Sequence, residues 1–220
     1  MTRETGPHDA VPALRLGTPA DEADAALVLI HGRGAPAQTM TPLVDALLEG
    51  IDAAVSVRLP SAAGHVWYPH RFIEPRAVNQ PWLDSALAKI AGVLDELAAA
   101  GIAPERMILG GFSQGACLAL ESFALRGGRL GGVLAYAGGL IGERLDPAAY
   151  ADSLAGTPVF LGCSDPDPHI PTGRVEESAA MLRAKGADVD LRLYPALGHV
   201  LNEDELNAGR ALVAAATARG

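Results

Sequence analysis

The sequence predicts an α/β fold in which a mostly parallel central sheet carries helices on both faces. Short, continuous apolar runs end in segments rich in Gly and Pro, and longer segments with helical periodicity lie between them. Such apolar runs are typical of strands buried on both faces, and strands that alternate with helices are joined by right-handed crossovers. A chain of 220 residues with 49% hydrophobic content buries roughly 70% of the surface that its unfolded form exposes, so one globular domain is expected.

The N-terminal segment differs in character from the rest of the chain. Residues 1–24 are polar and interrupted by prolines, and they are expected to form a leader outside the domain. Residues 25–220 are expected to form the single α/β domain. The leader lacks the apolar core of a signal peptide, and no apolar run approaches about 20 residues. A soluble, cytoplasmic protein without stable membrane association is therefore expected.

The first predicted strand covers residues 25–30 (AALVLI) and ends at the loop HGRGA. A helix is predicted over residues 39–51, because Pro42 suits a first turn and the apolar residues that follow fall on one side. Residues 53–60 (AAVSVRLP) form the next predicted strand.

Residues 61–81 are predicted to form a long loop, since the segment contains Gly and Pro and has no sustained period. Long loops inside compact domains are uncommon and usually functional. The loop carries Trp67, Tyr68 and Phe72, and it is therefore interpreted as a wall of a binding site. The alternative is a surface excursion whose aromatic rings fill a gap in the core.

From residue 82 onward, helices and strands alternate regularly. Residues 82–100 carry apolar side chains at spacings of three and four, which predicts a long amphipathic helix. The remaining predicted elements are a strand at 106–111, a helix at 113–126, strands at 132–139 and 157–164, a helix at 173–186, a strand at 188–195 and a helix at 202–218. Ligands bind beyond the carboxyl ends of parallel strands, so a site is expected in the loops that follow these strands.

The strand at residues 106–111 leads into Gly-Phe-Ser-Gln-Gly, in which Gly111 and Gly115 flank Ser113. A serine on a sharp turn between a strand and a helix adopts strained backbone angles, and larger side chains two positions away would collide with neighbouring elements. Ser113 is therefore interpreted as a nucleophile. The alternative is an ordinary turn that happens to contain a serine.

A serine hydroxyl needs a base, and the base needs an orienting group. His199 follows the last predicted strand, and Asp165 and Asp167 follow the strand before it. The order serine, acid, histidine is that of an α/β-hydrolase. Each residue alone is equally compatible with a surface or turn position, but their joint occurrence at strand ends favours a catalytic triad.

Two backbone N–H groups are expected to bind the oxyanion of the reaction. One belongs to Gln114, directly after the serine, and the other to Arg33, which lies between two glycines after the first predicted strand. His31 at the same strand end is interpreted as a structural hydrogen-bonding residue rather than as the base.

The motifs LIHGRGA, GGFSQGACLAL, FLGCSDPDPHIP and YPALGHV resemble the phospholipase/carboxylesterase family of α/β-hydrolases, which includes the acyl-protein thioesterases. The resemblance extends from about Ala25 to the C-terminus. Similar members carry the catalytic aspartate before Pro-x-Val-Pro or a close variant, so the resemblance implies Asp167 in DPHIP as the acid, with Asp165 as the fallback. The chain departs from the family at Cys163-Ser164, where members commonly have His-Gly, and at His169, an added imidazole.

Two segments, GHVWYPHRF and NQPWLDSAL, are similar to the bacterial small-ester branch of this family. The expected activity is hydrolysis of small soluble carboxylic esters through an acyl-enzyme. Trp67, Tyr68, Phe72 and His169 are expected to contact the substrate. The alternatives are an acyl-protein or acyl-thioester hydrolase, a lysophospholipase, and an inactive hydrolase-fold binding protein.

Composition argues against other classes of function. With 17 basic against 26 acidic residues and a net charge of -9, no nucleic-acid partner is expected. The two cysteines, Cys117 and Cys163, lack metal-ligand spacing, so neither a disulfide nor a metal site is expected. Cys117 lies a full turn beyond the serine, which disfavours a cysteine nucleophile as in dienelactone hydrolases. No phosphate-binding glycine motif follows a strand, which disfavours a nucleotide-binding protein. No cofactor is expected. The apolar positions on the helices fit a core or the surface of a homodimer equally well.

Overall fold

The computed structural model describes residues 6–218 and contains a seven-stranded sheet. Its strands are β1 (Leu14–Gly17), β2 (Ala25–Ile30), β3 (Val55–Leu59), β4 (Met107–Phe112), β5 (Gly132–Tyr136), β6 (Pro158–Asp165) and β7 (Asp188–Pro195). Their order in the sheet is β1-β3-β2-β4-β5-β6-β7. β1 is antiparallel to β3, and all other neighbours are parallel. The predicted α/β fold is confirmed.

The α-helices of the described chain are α1 (Thr41–Leu48), α2 (Trp82–Ala99), α3 (Gln114–Arg126), α4 (Thr172–Ala184) and α5 (Glu203–Thr217). α2, α3 and α4 contribute to the larger hydrophobic core on one face of the sheet, and α1 and α5 to the smaller core on the other. Strands β2 and β5 are buried along their whole length, as expected for strands covered on both faces. Within residues 6–218, no helix has the length and apolarity needed to cross a membrane.

Local sequence explains where the last helix begins. The side chain of Asn202 accepts a hydrogen bond from the Glu205 N–H, and the Glu205 carboxylate accepts one from the Asn202 N–H, each at 2.9 Å. This capping box satisfies backbone donors that the first turn of a helix leaves free. It also fixes the end of the loop that carries His199.

The predicted boundary at residue 25 is corrected by the structure. Leu14–Gly17 forms the edge strand β1, and His8 is fully buried, with its ring bonded to the backbone of Ala63 and Trp67. The strand escaped prediction because it is four residues long and its alternation of buried and exposed positions is too short to stand out from a polar segment. Residues 1–5 of the predicted leader lie outside the described residues.

The predicted loop at residues 61–81 is present, and it contains short 3-10 turns at Ala63–His65 and Arg76–Asn79. Its aromatic side chains are almost completely removed from solvent, with Trp67 0%, Tyr68 1% and Phe72 5% exposed. The loop therefore packs as part of the domain and covers the carboxyl end of the sheet near Ser113.

Candidate active site

Ser113 lies on the turn between β4 and α3, with a φ of 55° and a ψ of -118°. A residue with a side chain pays strain energy in this region, which is characteristic of a nucleophile elbow. A Cβ atom on Gly115 would lie 2.0 Å from the carbonyl oxygen of Ile30, and one on Gly111 would lie 2.5 Å from the carbonyl carbon of Gly115. The two glycines are therefore required by the close approach of β2, β4 and α3.

Ser113, His199 and Asp167 form a continuous hydrogen-bonded chain. His199 Nε2 lies 2.9 Å from Ser113 Oγ, and His199 Nδ1 lies 2.8 Å from Asp167 Oδ2. An ionised carboxylate only accepts hydrogen bonds, so Nδ1 carries the proton and Nε2 is left to accept from the serine hydroxyl. This arrangement brings together groups from the ends of three different strands.

Asp167 is held as an ion by its hydrogen bonds. Its side chain is fully buried, and Oδ1 accepts from the backbone N–H groups of His169 at 2.7 Å and Ile170 at 2.9 Å. Burial raises the pKa of this carboxyl group, but the hydrogen bonds from His199 and from the two backbone groups outweigh burial and hold the pKa below its usual value. The carboxylate is thus charged at neutral pH.

Asp165, the fallback acid, lies elsewhere. Its side chain is exposed, and Oδ1 accepts a hydrogen bond from the Thr172 hydroxyl at 2.9 Å. Asp165 is the last residue of β6, whereas Asp167 lies two residues into the loop and reaches His199. The geometry thus favours Asp167 over Asp165 as the partner of the histidine.

Ser164 is a site residue that the sequence argument passed over. Its buried hydroxyl accepts from the Gly198 N–H at 2.9 Å and donates to the Pro166 carbonyl at 2.9 Å. One side chain therefore joins the loop that carries Asp167 to the loop that carries His199. The sequence did mark this position, because Cys163-Ser164 replaces the His-Gly that similar family members commonly have.

The backbone N–H groups of Arg33 and Gln114 are free. Gln114 is the first residue of α3, so its N–H has no acceptor within the helix. In the part of the chain that the structure describes, neither N–H donates to a protein acceptor. Both residues line the same cavity as Ser113.

The side chains of the same two residues hold the long loop, which the sequence did not reveal. The Arg33 guanidinium donates to the carbonyl oxygens of Tyr68, Pro69 and His70 at 2.8 to 2.9 Å. The Gln114 amide donates to the Tyr68 carbonyl at 2.8 Å and accepts from the Trp67 N–H at 3.0 Å. Residues 67–70 are thus attached to the loop after β2 and to the first residue of α3.

His31 has the structural position that the sequence argument proposed. The fully buried ring donates from Nδ1 to the Gly32 carbonyl at 2.8 Å and accepts at Nε2 from the Ala62 N–H at 3.2 Å. Burial lowers the pKa of this histidine, so the ring is neutral at neutral pH. Both nitrogens are occupied by backbone groups.

Ser113 and His199 open into a cavity of about 870 Å³, a volume in the upper part of the range of small-molecule sites. The larger apolar side chains that line it include Met40, Leu43, Tyr68, Phe72, Ile170 and Leu201, and His169 also lies on its wall. Trp67 does not line it, contrary to the prediction, because its indole is buried and donates to the His31 carbonyl at 3.0 Å. Met40 and Leu43 come from a segment whose amphipathic pattern signals only core packing, and Leu201 lies in the loop before α5.

Cys117 lines the floor of this cavity, but it is not positioned as a nucleophile. Burial raises the pKa of its thiol to about 12, so the reactive thiolate is absent at neutral pH. Among the described residues, no group of three His, Cys, Asp or Glu side chains is placed to hold a metal ion.

The parallel sheet, the strained serine after β4 and the histidine after β7 place the chain in the class of α/β-hydrolase folds. The sequence model of the phospholipase/carboxylesterase family matches residues 13–215, and the chain belongs to that family.

Individual relatives agree with this assignment. An acyl-protein thioesterase 1 from Gibberella zeae is 36% identical over 109 residues, 49% of this chain and 46% of that protein. A probable carboxylesterase from Oryza sativa is 32% identical over 123 residues, 55% of this chain and 52% of that protein. The matched segment spans about half the length of these curated relatives.

The solved structures extend the similarity over nearly the whole chain. The crystal structure of a phospholipase/carboxylesterase from Dyadobacter fermentans has a TM-score of 0.87 and 37% identity, and the match covers 91% of this chain and 95% of that chain. The Bacillus cereus carboxylesterase has a TM-score of 0.70 at 20% identity, with 94% and 97% covered, and it supports the fold alone.

Proposed function

We propose that the protein is a serine hydrolase of carboxylic esters that forms an acyl-enzyme on Ser113. The observation that carries the proposal is the hydrogen-bonded chain from Ser113 Oγ through His199 to the buried Asp167 carboxylate. The strained backbone of Ser113 and the free N–H groups beside it support the same conclusion. An inactive binding protein would have no need of this geometry.

In the proposed acylation step, Ser113 Oγ bonds to the ester carbonyl carbon while His199 Nε2 takes the hydroxyl proton. The carbonyl electrons move onto its oxygen, where the N–H groups of Arg33 and Gln114 stabilise the negative charge. When the carbonyl re-forms, the bond to the alcohol oxygen breaks, and the imidazolium gives its proton to that oxygen. Asp167 keeps Nδ1 protonated and stabilises the imidazolium.

Deacylation repeats these events with water as the nucleophile. Water loses a proton to His199 Nε2 as its oxygen bonds to the acyl carbon, and the same N–H groups stabilise the second oxyanion. The bond to Ser113 Oγ then breaks, and His199 returns the proton to that oxygen. The free acid leaves, and the starting hydrogen bonds are restored.

Small soluble esters are the proposed substrates, and acyl thioesters are the second candidate. The same groups act on a thioester carbonyl, and relatives named acyl-protein thioesterase 1 favour this reaction. The cavity of about 870 Å³ has room for acyl groups longer than acetyl. The identity of the acyl group is therefore an experimental question of relative rates.

Hydrolysis of p-nitrophenyl esters from acetate to palmitate, with a palmitoyl thioester alongside, tests the proposal in the wild type and in Ser113→Ala. We expect wild-type turnover of the shorter esters and a loss on the order of 1,000-fold or more in Ser113→Ala. An equally active Ser113→Ala, or a wild type that hydrolyses none of these substrates, contradicts the proposal. Faster turnover of the palmitoyl thioester than of short esters selects the second candidate.

A further inference from the structure

Arg71 lies on the wall of the cavity of Ser113, and its guanidinium has no acidic partner among the described residues. Its side chain is exposed, and its one hydrogen bond joins Nη2 to the His169 carbonyl oxygen at the long distance of 3.5 Å. Within residues 6–218, no carboxylate lies within ion-pair distance of it. Most of its donors are therefore free to bind a ligand.

The other charged groups on the cavity wall do not cancel this charge. Arg33 is directed to three backbone carbonyls, and Glu74 is the acidic side chain on the wall, unpaired with Arg71. The other titratable groups on the wall are the imidazoles of His70, His169 and His199, the Tyr68 phenol and the Cys117 thiol. Burial raises the pKa of the phenol and of the thiol, so neither adds a negative charge at neutral pH. The guanidinium groups of Arg33 and Arg71 against the Glu74 carboxylate leave the wall one excess positive charge, although the whole chain has a net charge of -9. The Asp167 carboxylate does not line the cavity, and its oxygens are hydrogen-bonded to His199, His169 and Ile170.

We infer that the site takes esters that carry a carboxylate remote from the ester bond, and that Arg71 binds this carboxylate. The inference rests on the proposed function and specifies its substrate class. A guanidinium offers a planar fork of donors that matches a carboxylate. The apolar side chains that line the cavity suit the hydrocarbon that separates the ester from the carboxylate.

Two matched pairs of substrates test the inference and locate the carboxylate. The first pair is p-nitrophenyl adipate and the neutral p-nitrophenyl heptanoate, which place the charge on the acyl side. The second pair is the butyrate esters of para-hydroxybenzoate and para-hydroxybenzamide, which place it on the alcohol side. For at least one pair we expect kcat/KM to favour the anion by about fivefold at low ionic strength. The preference should shrink as salt is added.

Variants at Arg71 assign the preference to this residue. In Arg71→Gln the ratio of anionic to neutral kcat/KM should fall to about one, in Arg71→Lys part of it should persist, and in Arg71→Glu it should fall below one. Arg126→Gln is the matched control, because Arg126 pairs with Asp95 and does not line the cavity, and it should keep the wild-type ratio.

The outcomes separate the inference from the proposed function. A ratio of one for both pairs in the wild type, or a wild-type ratio in Arg71→Gln, overturns the inference while Ser113-dependent hydrolysis of the heptanoate still supports the function. A preference in one pair only supports the inference and assigns the carboxylate to that side of the ester. If the wild type hydrolyses none of the four esters, both the inference and the proposed function are overturned.

Discussion

Contacts with neighbouring residues set the backbone conformation of Ser113, the tautomer of His199 and the ionisation of Asp167. Ser113 is held in a strained conformation by the contact of Gly115 with β2. Asp167 is kept ionised by two backbone N–H groups and by His199, whose Nδ1 it orients. These contacts pre-organise the groups before any substrate binds, so in the proposed reaction their reorganisation should add little to the barrier.

Asp165, at the end of β6, and Asp167, in the loop that follows, provide a matched test at the residue scale. We expect Asp167→Asn to lower kcat by on the order of 10,000-fold, because the amide donates toward Nδ1 and favours the wrong tautomer of His199. Asp165→Asn should stay close to wild type, since Asp165 contacts Thr172 instead. Steady-state kinetics on one short ester measures both, and a larger loss in Asp165→Asn would show that the acid is misassigned.

At the scale of structural elements, the loop at residues 61–81 is held in place by two residues that line the site. Arg33 and Gln114 hold its residues 67–70 by their side chains, and both residues line the cavity. Both proposed oxyanion donors therefore depend on the position of the same loop. Loosening the loop should move donors that must be placed within a fraction of an ångström.

Arg33→Met tests this dependence. We expect kcat to fall by about 10- to 100-fold with a smaller change in KM, because the variant keeps the backbone N–H but loses three bonds that position it. Arg129→Met is the control, since Arg129 also donates to two loop carbonyls, those of Ala155 and Gly156, and does not line the cavity. Equal losses of kcat in the two variants would mean that Arg33 acts on global stability alone.

At the scale of the whole molecule, the site lies where the two hydrophobic cores meet the carboxyl edge of the sheet. Tyr68, Phe72 and Ile170 belong to the larger core, and Met40 belongs to the smaller one. All four side chains line the cavity. The stability of the fold and the shape of the site thus depend on the same packing.

Global stability should also depend on pH through Glu205 at the start of α5. Burial raises its pKa from 4.5 to about 7, so between these values the unfolded chain loses a proton that the folded chain keeps. The free energy of unfolding should therefore fall as pH rises from about 4.5 to about 7, by at most about 3 kcal/mol from this residue. In Glu205→Gln, which keeps an acceptor for the Asn202 N–H, that part of the decline should disappear.

Urea unfolding at a series of pH values measures the difference between wild type and Glu205→Gln. Because the curves are subtracted, other titrating groups largely cancel. A constant difference across this range would contradict a raised pKa for Glu205.

Much of this molecule is encoded locally. The strands and helices follow from apolar runs and helical periodicity, and the elbow follows from two glycines around Ser113, because neighbours in sequence determine backbone conformation and amphipathic faces. The chain order serine, acid, histidine was also readable, since the ends of parallel strands meet at one edge. The choice of Asp167 over Asp165 came from the family resemblance.

By itself, then, the sequence determined the class of fold and the residues proposed for the chemistry. Only the tertiary structure decided that residues 14–17 join the sheet, that Trp67 packs in the core, and that Arg33 and Gln114 clamp the long loop. It also placed Met40, Leu43 and Leu201 on the wall of the cavity. These outcomes depend on contacts between segments far apart in the chain. A local pattern shows that a side chain is apolar, but it does not show whether that side chain packs in the core or lines the cavity.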